Sequence, residues 1–201
     1  MKDNTKNEKS LQHFKMLWQR YGTIGIFLLL IIILTIIKPS AVFTPSSIVQ
    51  ILRQSAVNIL LSLGEFFAIL IAGIDLSVGA VAGLTGMIAA KLMVAGIPVG
   101  AAIFVCILAG TAIGWINGTL VNKTGLHPFI ITLGTQSIFF GIMLVVSNSR
   151  NVFGFPASFS TLMNASLLFV PVPVVIALVV ALFCWFLILH EDMSWMSRCS
   201  F

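Results

Sequence analysis

Six apolar runs follow one another along this chain: Gly22–Ile37, Ile48–Ala72, Leu76–Ala95, Val99–Val121, Phe129–Ser147 and Val174–Leu189. A bilayer core about 30 Å thick is crossed by about 20 apolar helical residues. Lipid offers no hydrogen bonds to the backbone, so a chain built of such runs can fold only where each run satisfies its own N–H and C=O groups. Composition points the same way. Hydrophobic residues make up 59% of the 201 and charged residues 8%, with a mean hydropathy of +1.10, where a soluble domain carries about 25% charged residues. The expectation is an all-α membrane protein with about six transmembrane helices. A cytosolic segment, 1–21, precedes a membrane domain, 22–189, and a short tail, 190–201, follows it. The first and last runs are short and would extend into their flanks.

Punctuation between the runs is clear. Thr44-Pro45 offers an N-cap followed by Pro at the first helical position. Gly96-Ile97-Pro98 separates the third and fourth runs, Gly125-Leu126-His127-Pro128 the fourth and fifth, and the longest connection runs from Asn148 to about Pro173. Five of the eleven basic residues (Lys2, Lys6, Lys9, Lys15 and Arg20) crowd into the first twenty positions. Basic residues in short loops stay cytosolic. With the N-terminus inside, the cytosol holds these five plus Lys123 and Arg198, and the outer side holds Lys38, Lys91 and Arg150. The count predicts both termini in the cytosol and the 148–173 connection outside.

The formal charge of +5 does not indicate a nucleic-acid partner, because that would need basic residues gathered on a soluble face. Cys106, Cys184 and Cys199 are too scattered for a metal site, and the first two lie inside apolar runs. The basic start and the run after it resemble a signal peptide, but Lys38–Phe43 is a poor small-residue cleavage site. We read the run as a retained span.

Polar residues inside the runs are the candidates for function. Gln54, Asn58 and Glu65 stand at offsets of 0, 4 and 11 residues. At about 100° per residue these directions fall within about 40° of each other, with Ser62 near the same side. Such a stripe must face other helices or a wet cavity. Two readings stand: a face lining a transport path, or interhelical hydrogen bonds that hold the bundle. Arg53, near the outer end, can anchor by snorkelling. Directly after this run comes Gly73-Ile74-Asp75-Leu76-Ser77-Val78-Gly79, where two spans are separated by a carboxylate and little else. Asp75 and Ser77 can cap a helix starting at Leu76, or form a broken-helix site that touches substrate. Asn117, near the cytosolic end of the fourth run, is a further hydrogen-bonding candidate. Gly110, Gly114 and Gly118 in the fourth run, and Gly79 and Gly83 in the third, recur every four residues, a spacing that lets membrane helices approach closely. His127, alone in its loop, reads as structural.

These segments together resemble a known family. Gly73–Gly79 matches the GIDLSVG signature of permeases from ribose, xylose, galactose and allose ABC importers of bacteria. Gly114–Val121 (GWINGTLV) and Pro128–Thr135 (PFIITLGT) match that family's next two blocks at the usual distance, and Phe43-Thr44-Pro45-Ser46 resembles its entry to the second span. Gly64–Leu70 and Gly125–Pro128 most resemble D-allose permeases, although many relatives carry Met where this chain has Glu65. The resemblance runs from about residue 20 to 187.

It implies a multi-pass permease subunit in the bacterial inner membrane, importing a monosaccharide such as D-allose or ribose. It also implies partners: a second permease copy, two cytosolic ATPase subunits, and a periplasmic or tethered sugar-binding protein. No cofactor is implied, and the permease is not itself an enzyme. The chain indeed shows no GxxxxGK[ST] phosphate loop, so energy must come from a partner. After the sixth span, family members continue with a basic, glycine-containing cytosolic loop and several more spans, where this chain reads His190–Phe201. That departure predicts a truncated or frameshifted permease, with 190–201 out of frame. The competing reading is a membrane-embedded accessory protein, or a permease remnant without transport. A membrane enzyme lacks paired catalytic groups, and a passive channel lacks a filter motif or charged ring.

Overall fold

The computed structural model describes the backbone of residues 2–38, 44–71, 73–167 and 170–190, and the side chains of 15, 18, 21–38, 44–71, 73–167 and 170–189. The expected tail beyond His190, with Arg198 and Cys199, and Phe43 of the expected second-span entry lie outside the described residues. The helices, numbered in chain order, are α1 (Lys2–Ile37), α2 (Pro45–Leu70), α3 (Val78–Val94), α4 (Val99–Thr124), α5 (Pro128–Ser147), α6 (Ala157–Asn164) and α7 (Val172–His190). The chain divides into two compact units, 1–51 and 52–201.

The first unit holds α1 and the opening turns of α2. α1 is one helix of 36 residues, about 54 Å long at 1.5 Å per residue, and its apolar part is Tyr21–Ile37. Helix thus runs through the basic first twenty residues without a break at residue 21. At the start of α2 the Thr44 hydroxyl oxygen accepts the Ser47 N–H at 3.3 Å, and Pro45 follows at the first helical position. This is the N-cap expected from Thr44-Pro45.

In the second unit α3 packs against α4 and α5. Ala80, Leu84, Ile113 and Phe139 form one buried cluster, with Met143 against it. Ala89, Met93 and Ala102 form another, which Phe159 of α6 joins. The short links have clear causes. Gly125 closes α4 at φ 65°, a left-handed conformation that costs glycine nothing, and Asn148 closes α5 at φ 52°. His127 is the N-cap of α5: its ring Nδ1 accepts the Phe129 N–H at 3.3 Å, with Pro128 as the first helical residue.

Among the described residues, three helices are long and apolar enough to cross a membrane by length and composition, namely α4, α5 and residues 172–189 of α7, while Tyr21–Ile37 and α3 are shorter apolar helices. α2, though 26 residues long, is not among them, because Arg53, Gln54, Asn58 and Glu65 lower its hydropathy. The sequence reading needs correction at three places. α3 begins at Val78 rather than Leu76. The 148–173 stretch is not a plain connection: it contains α6 and a small antiparallel ladder that pairs Ser166 with Pro171 and Leu167 with Val170, so among the described residues the fold is helical with one minimal hairpin. α7 starts at Val172 and takes Pro173 into its first turn, where the missing N–H has no helical partner to lose.

Candidate functional site

Between α2 and α3 the chain turns back within a few residues, and α2, α4 and α5 contribute to holding that turn. Gly73 is buried, and its N–H reaches the Ala68 carbonyl at 3.0 Å. A Cβ at this position would lie 3.3 Å from that carbonyl oxygen, a tight approach to backbone, and 3.5 Å from Pro128, an ordinary contact with the start of α5. Next, the Asp75 N–H donates to Glu65 Oε1 of α2 at 3.2 Å. The Leu76 N–H donates to the Thr132 hydroxyl of α5 at 3.2 Å. The same hydroxyl has the Ile74 carbonyl at 3.2 Å and the Phe129 carbonyl at 3.3 Å as acceptors for its one proton.

Asp75 folds its carboxylate over the turn. Its Oδ1 accepts the Ser77 N–H at 2.8 Å and the Ser77 O–H at 2.6 Å. Ser77 is fully buried, and its oxygen accepts from Asn117 Nδ2 of α4 at 2.8 Å. Since the Ser77 proton goes to the carboxylate, the amide must present its NH₂ group here. The result is a directed chain, Asn117 to Ser77 to Asp75. Ser77 stands as the N-cap residue of α3 but makes no side-chain cap bond itself. Asp75 does the capping, by accepting the Ser77 N–H. Two acceptors in this cluster, Glu65 Oε2 and Asn117 Oδ1, are buried without a protein partner.

The expected polar stripe therefore divides. Glu65 joins the turn, together with Asp75, Ser77 and Asn117. Gln54 and Asn58 are exposed and stay apart from it. Instead, Asn58 lines an open groove of about 380 Å³ along α2, with Ser55, Ile59, Ser62 and Leu63. Arg53, expected as an anchor, has a defined partner. Its Nη1 donates to Asn164 Oδ1 at 2.6 Å and its Nη2 to the Asn164 carbonyl at 3.3 Å, which ties α2 to the end of α6. Of the glycines, a Cβ on Gly83 would meet Met143 Sδ at 2.9 Å and one on Gly110 would meet Thr85 at 3.8 Å, while Gly79, Gly114 and Gly118 have open space in this chain. Thr132 was not a sequence candidate. Its position one turn after Pro128, in the block that follows the carboxylate turn, is the signal that could have raised it.

Nothing in this arrangement activates a nucleophile or gathers reactive groups around a free volume. It fixes a helix reversal inside an apolar bundle, next to a helix with a free polar face. Comparison with known proteins agrees. Residues 47–191 match the family described as the permease component of branched-chain amino acid transport systems. The D-allose transport system permease protein of Escherichia coli (strain K12) is 50% identical over 182 residues, covering 90% of this chain and 56% of that protein. The ribose import permease protein of Haemophilus influenzae is 36% identical over 192 residues, covering 94% and 58%. The autoinducer 2 import system permease protein of Yersinia enterocolitica is 38% identical over 128 residues, covering 61% and 38%. No solved structure matches the chain significantly. The chain thus spans a little over half the length of the allose and ribose relatives. The family match covers most of its residues, so this chain is a membrane protein that belongs to the family described as the permease component of branched-chain amino acid transport systems, and within it is similar to the allose and ribose permeases.

Proposed function

We propose that the chain is the membrane-spanning permease subunit of an ATP-driven monosaccharide importer in the bacterial inner membrane, with D-allose as first substrate and ribose as second. The observation that carries this reading is the 50% identity to a D-allose permease along 90% of the chain. Partners follow from the reading: cytosolic ATPase subunits, a periplasmic or tethered sugar-binding protein, and a second permease copy. The permease gives the sugar a path and leaves ATP hydrolysis to its partner.

In this reading α1, α2, α3, α4, α5 and α7 are six spans with both termini in the cytosol. Two ties support the alternation. Arg53 near the start of α2 bonds to Asn164 of the 148–171 stretch, which requires those two regions on one side. Glu65, Asp75, Asn117 and Thr132 meet at the other end of α2, which requires the turn after α2, the end of α4 and the start of α5 on the opposite side. The basic-residue count makes the second side the cytosol.

The test is uptake of labelled D-allose and ribose in a host lacking its own importer, with the partner ATPase and binding protein supplied. The chain is expressed as it stands or extended by the C-terminal part of the allose relative. ATP-dependent uptake with D-allose ahead of ribose is expected. The reading fails if neither form takes up sugar although both are present in the membrane.

A further inference from the structure

α1 carries a cluster of charge ahead of its apolar part, and the helical register sorts that charge by sign. Lys2, Lys6, Lys9, His13 and Arg20 stand at offsets of 0, 4, 7, 11 and 18 residues along one unbroken helix. At about 100° per residue these positions fall within about 60° of one another, with Met16 in the one remaining place of the repeat. Both acidic residues of the segment, Asp3 and Glu8, and its fifth cation, Lys15, are placed about 90° or more from the middle of that stripe. Keeping a flank in the cytosol depends on how many cations it holds and not on which face they share, so the sorting answers to something else. On a different face Leu11, Phe14, Trp18 and Tyr21 repeat at intervals of 3, 4 and 3 residues.

A basic stripe and an apolar stripe on one helix suit a membrane surface when the helix lies flat on it, but α1 does not turn aside. It passes from Lys2 to Ile37 without a break. Where its apolar part begins, Gly22 is buried and a Cβ there would meet the Trp18 ring at 3.4 Å, so the ring lies along the helix across the junction. Lys9 and Lys2 are about 18 and 28 Å along the axis from Tyr21. At the usual tilt of about 20° they still stand about 17 and 27 Å out. The headgroup layer is about 5–8 Å deep, and its field fades over about 8 Å at physiological salt. Arg20 is within reach of that field, whereas Lys2, Lys6 and Lys9 are beyond it. Whatever answers them must be acidic and stand off the membrane. In the importer reading these residues lie in the cytosol, and the ATPase subunit is the partner held there beneath the bilayer.

We propose that the Lys2–Lys6–Lys9 stripe of α1 is a docking surface for an acidic face of the cytosolic ATPase subunit, a contact made on the helix ahead of the first span. The proposal rests on the importer reading above. It is tested with the full chain in phosphatidylcholine vesicles, by measuring how tightly the purified ATPase subunit binds them. Lys6→Glu with Lys9→Glu reverses the stripe. Asn7→Asp, Lys15→Glu and Gln19→Glu together change the net charge equally but on other faces, so any effect of total charge on insertion or orientation appears in both variants. The stripe variant should bind the ATPase about tenfold more weakly, the control should stay within about twofold, and added salt should weaken the parent more than the stripe variant. To test the lipid alternative, Cys106, Cys184 and Cys199 are changed to alanine and a fluorophore is attached at Lys9→Cys. Spin-labelled headgroups, in vesicles with and without phosphatidylglycerol, should leave it unquenched. Equal weakening by both variants, binding unaffected by the stripe, no ATPase binding by the parent, or quenching by headgroups overturns the proposal. Stripe-dependent binding without sugar uptake by any form sinks the importer reading and leaves the docking surface standing. Uptake with binding indifferent to the stripe does the reverse.

Discussion

Ser77→Ala is the sharpest perturbation of the turn between α2 and α3, because one buried hydroxyl serves two partners. It donates to Asp75 at 2.6 Å and accepts from Asn117 at 2.8 Å. A hydrogen bond to a charged group contributes about 1.5–3 kcal/mol. The Ser77 N–H still reaches Asp75 at 2.8 Å after the substitution, so the carboxylate keeps one donor and the loss sits at the low end of that range. The Asn117 bond joins two helices in a membrane protein, where such bonds average about 0.6 kcal/mol and reach about 1.7. Together these give a destabilisation of about 2–3 kcal/mol.

Asn117→Leu behaves differently. It gives up the same interhelical bond but also removes Asn117 Oδ1, a buried acceptor with no partner, whose desolvation costs about 1–3 kcal/mol. The two nearly cancel, and the net change should stay within about 1 kcal/mol. Equilibrium unfolding of the purified chain by rising SDS fraction in mixed micelles measures both. A double-mutant cycle of Ser77→Ala with Asn117→Ala isolates the shared bond at about 1 kcal/mol. A Ser77→Ala variant as stable as the parent, or a coupling indistinguishable from zero, would refute the argument that this hydrogen-bond chain pins the turn.

Gly83→Leu should destabilise by about 1–3 kcal/mol through overpacking of α3 on α5, and Met143→Ala in the same chain should recover part of the loss, since the clash is with its sulfur; unfolding in mixed micelles decides, and no recovery refutes the contact. Arg53→Lys replaces a two-point grip on Asn164 with a single ammonium, and amide exchange in 157–164 should rise about two- to fivefold, equivalent to about 0.5–1 kcal/mol; unchanged exchange would show that α6 does not depend on the clasp. Alkaline phosphatase, active only outside the cytosol, should work when fused after Gly96 or Ser149 and not after Lys123, and the reverse pattern would invert the proposed topology.

The places where the sequence was legible are those where one residue type meets one local demand. Six apolar runs gave the long helices in order, Gly125–Pro128 the break between α4 and α5, and Thr44-Pro45 the entry to α2. The carboxylate turn was legible as a break, but not in its wiring. Ser77 and Asp75 could both be assigned as caps, and only the packed arrangement shows that Asp75 caps while Ser77 relays from Asn117, a partner 40 residues away. Arg53 and Asn164 are 111 residues apart, and nothing in either neighbourhood announces the other. The stripe on α2 shows a different shortfall. Helical periodicity puts Gln54, Asn58 and Glu65 on one side, yet a face is not a site. Glu65 lies eleven residues, about 16 Å, along the axis from Gln54, and whatever packs at one end of the helix need not reach the other. α6 and its hairpin escaped notice because eight helical residues and two residues per strand are too few for any periodicity to emerge.

The division of that stripe bears on why an acidic residue stands at position 65, where many relatives are expected to carry Met. A helix reversal inside lipid leaves several N–H groups without the carbonyl that a continuing helix would offer. In this chain they are met one by one, Asp75 N–H by Glu65, Leu76 N–H by Thr132, and Ser77 N–H by Asp75 itself. A carboxylate used in this way is committed to the backbone, and so is Arg53 at the other end, to Asn164. The strongest polar groups on α2 thus serve the fold, and the weak neutral ones between them are left free. Each neutral hydrogen bond exchanges with water at a net of only about 0.5–1.5 kcal/mol, so the exposed amide and hydroxyls between those two anchors add little to the fold.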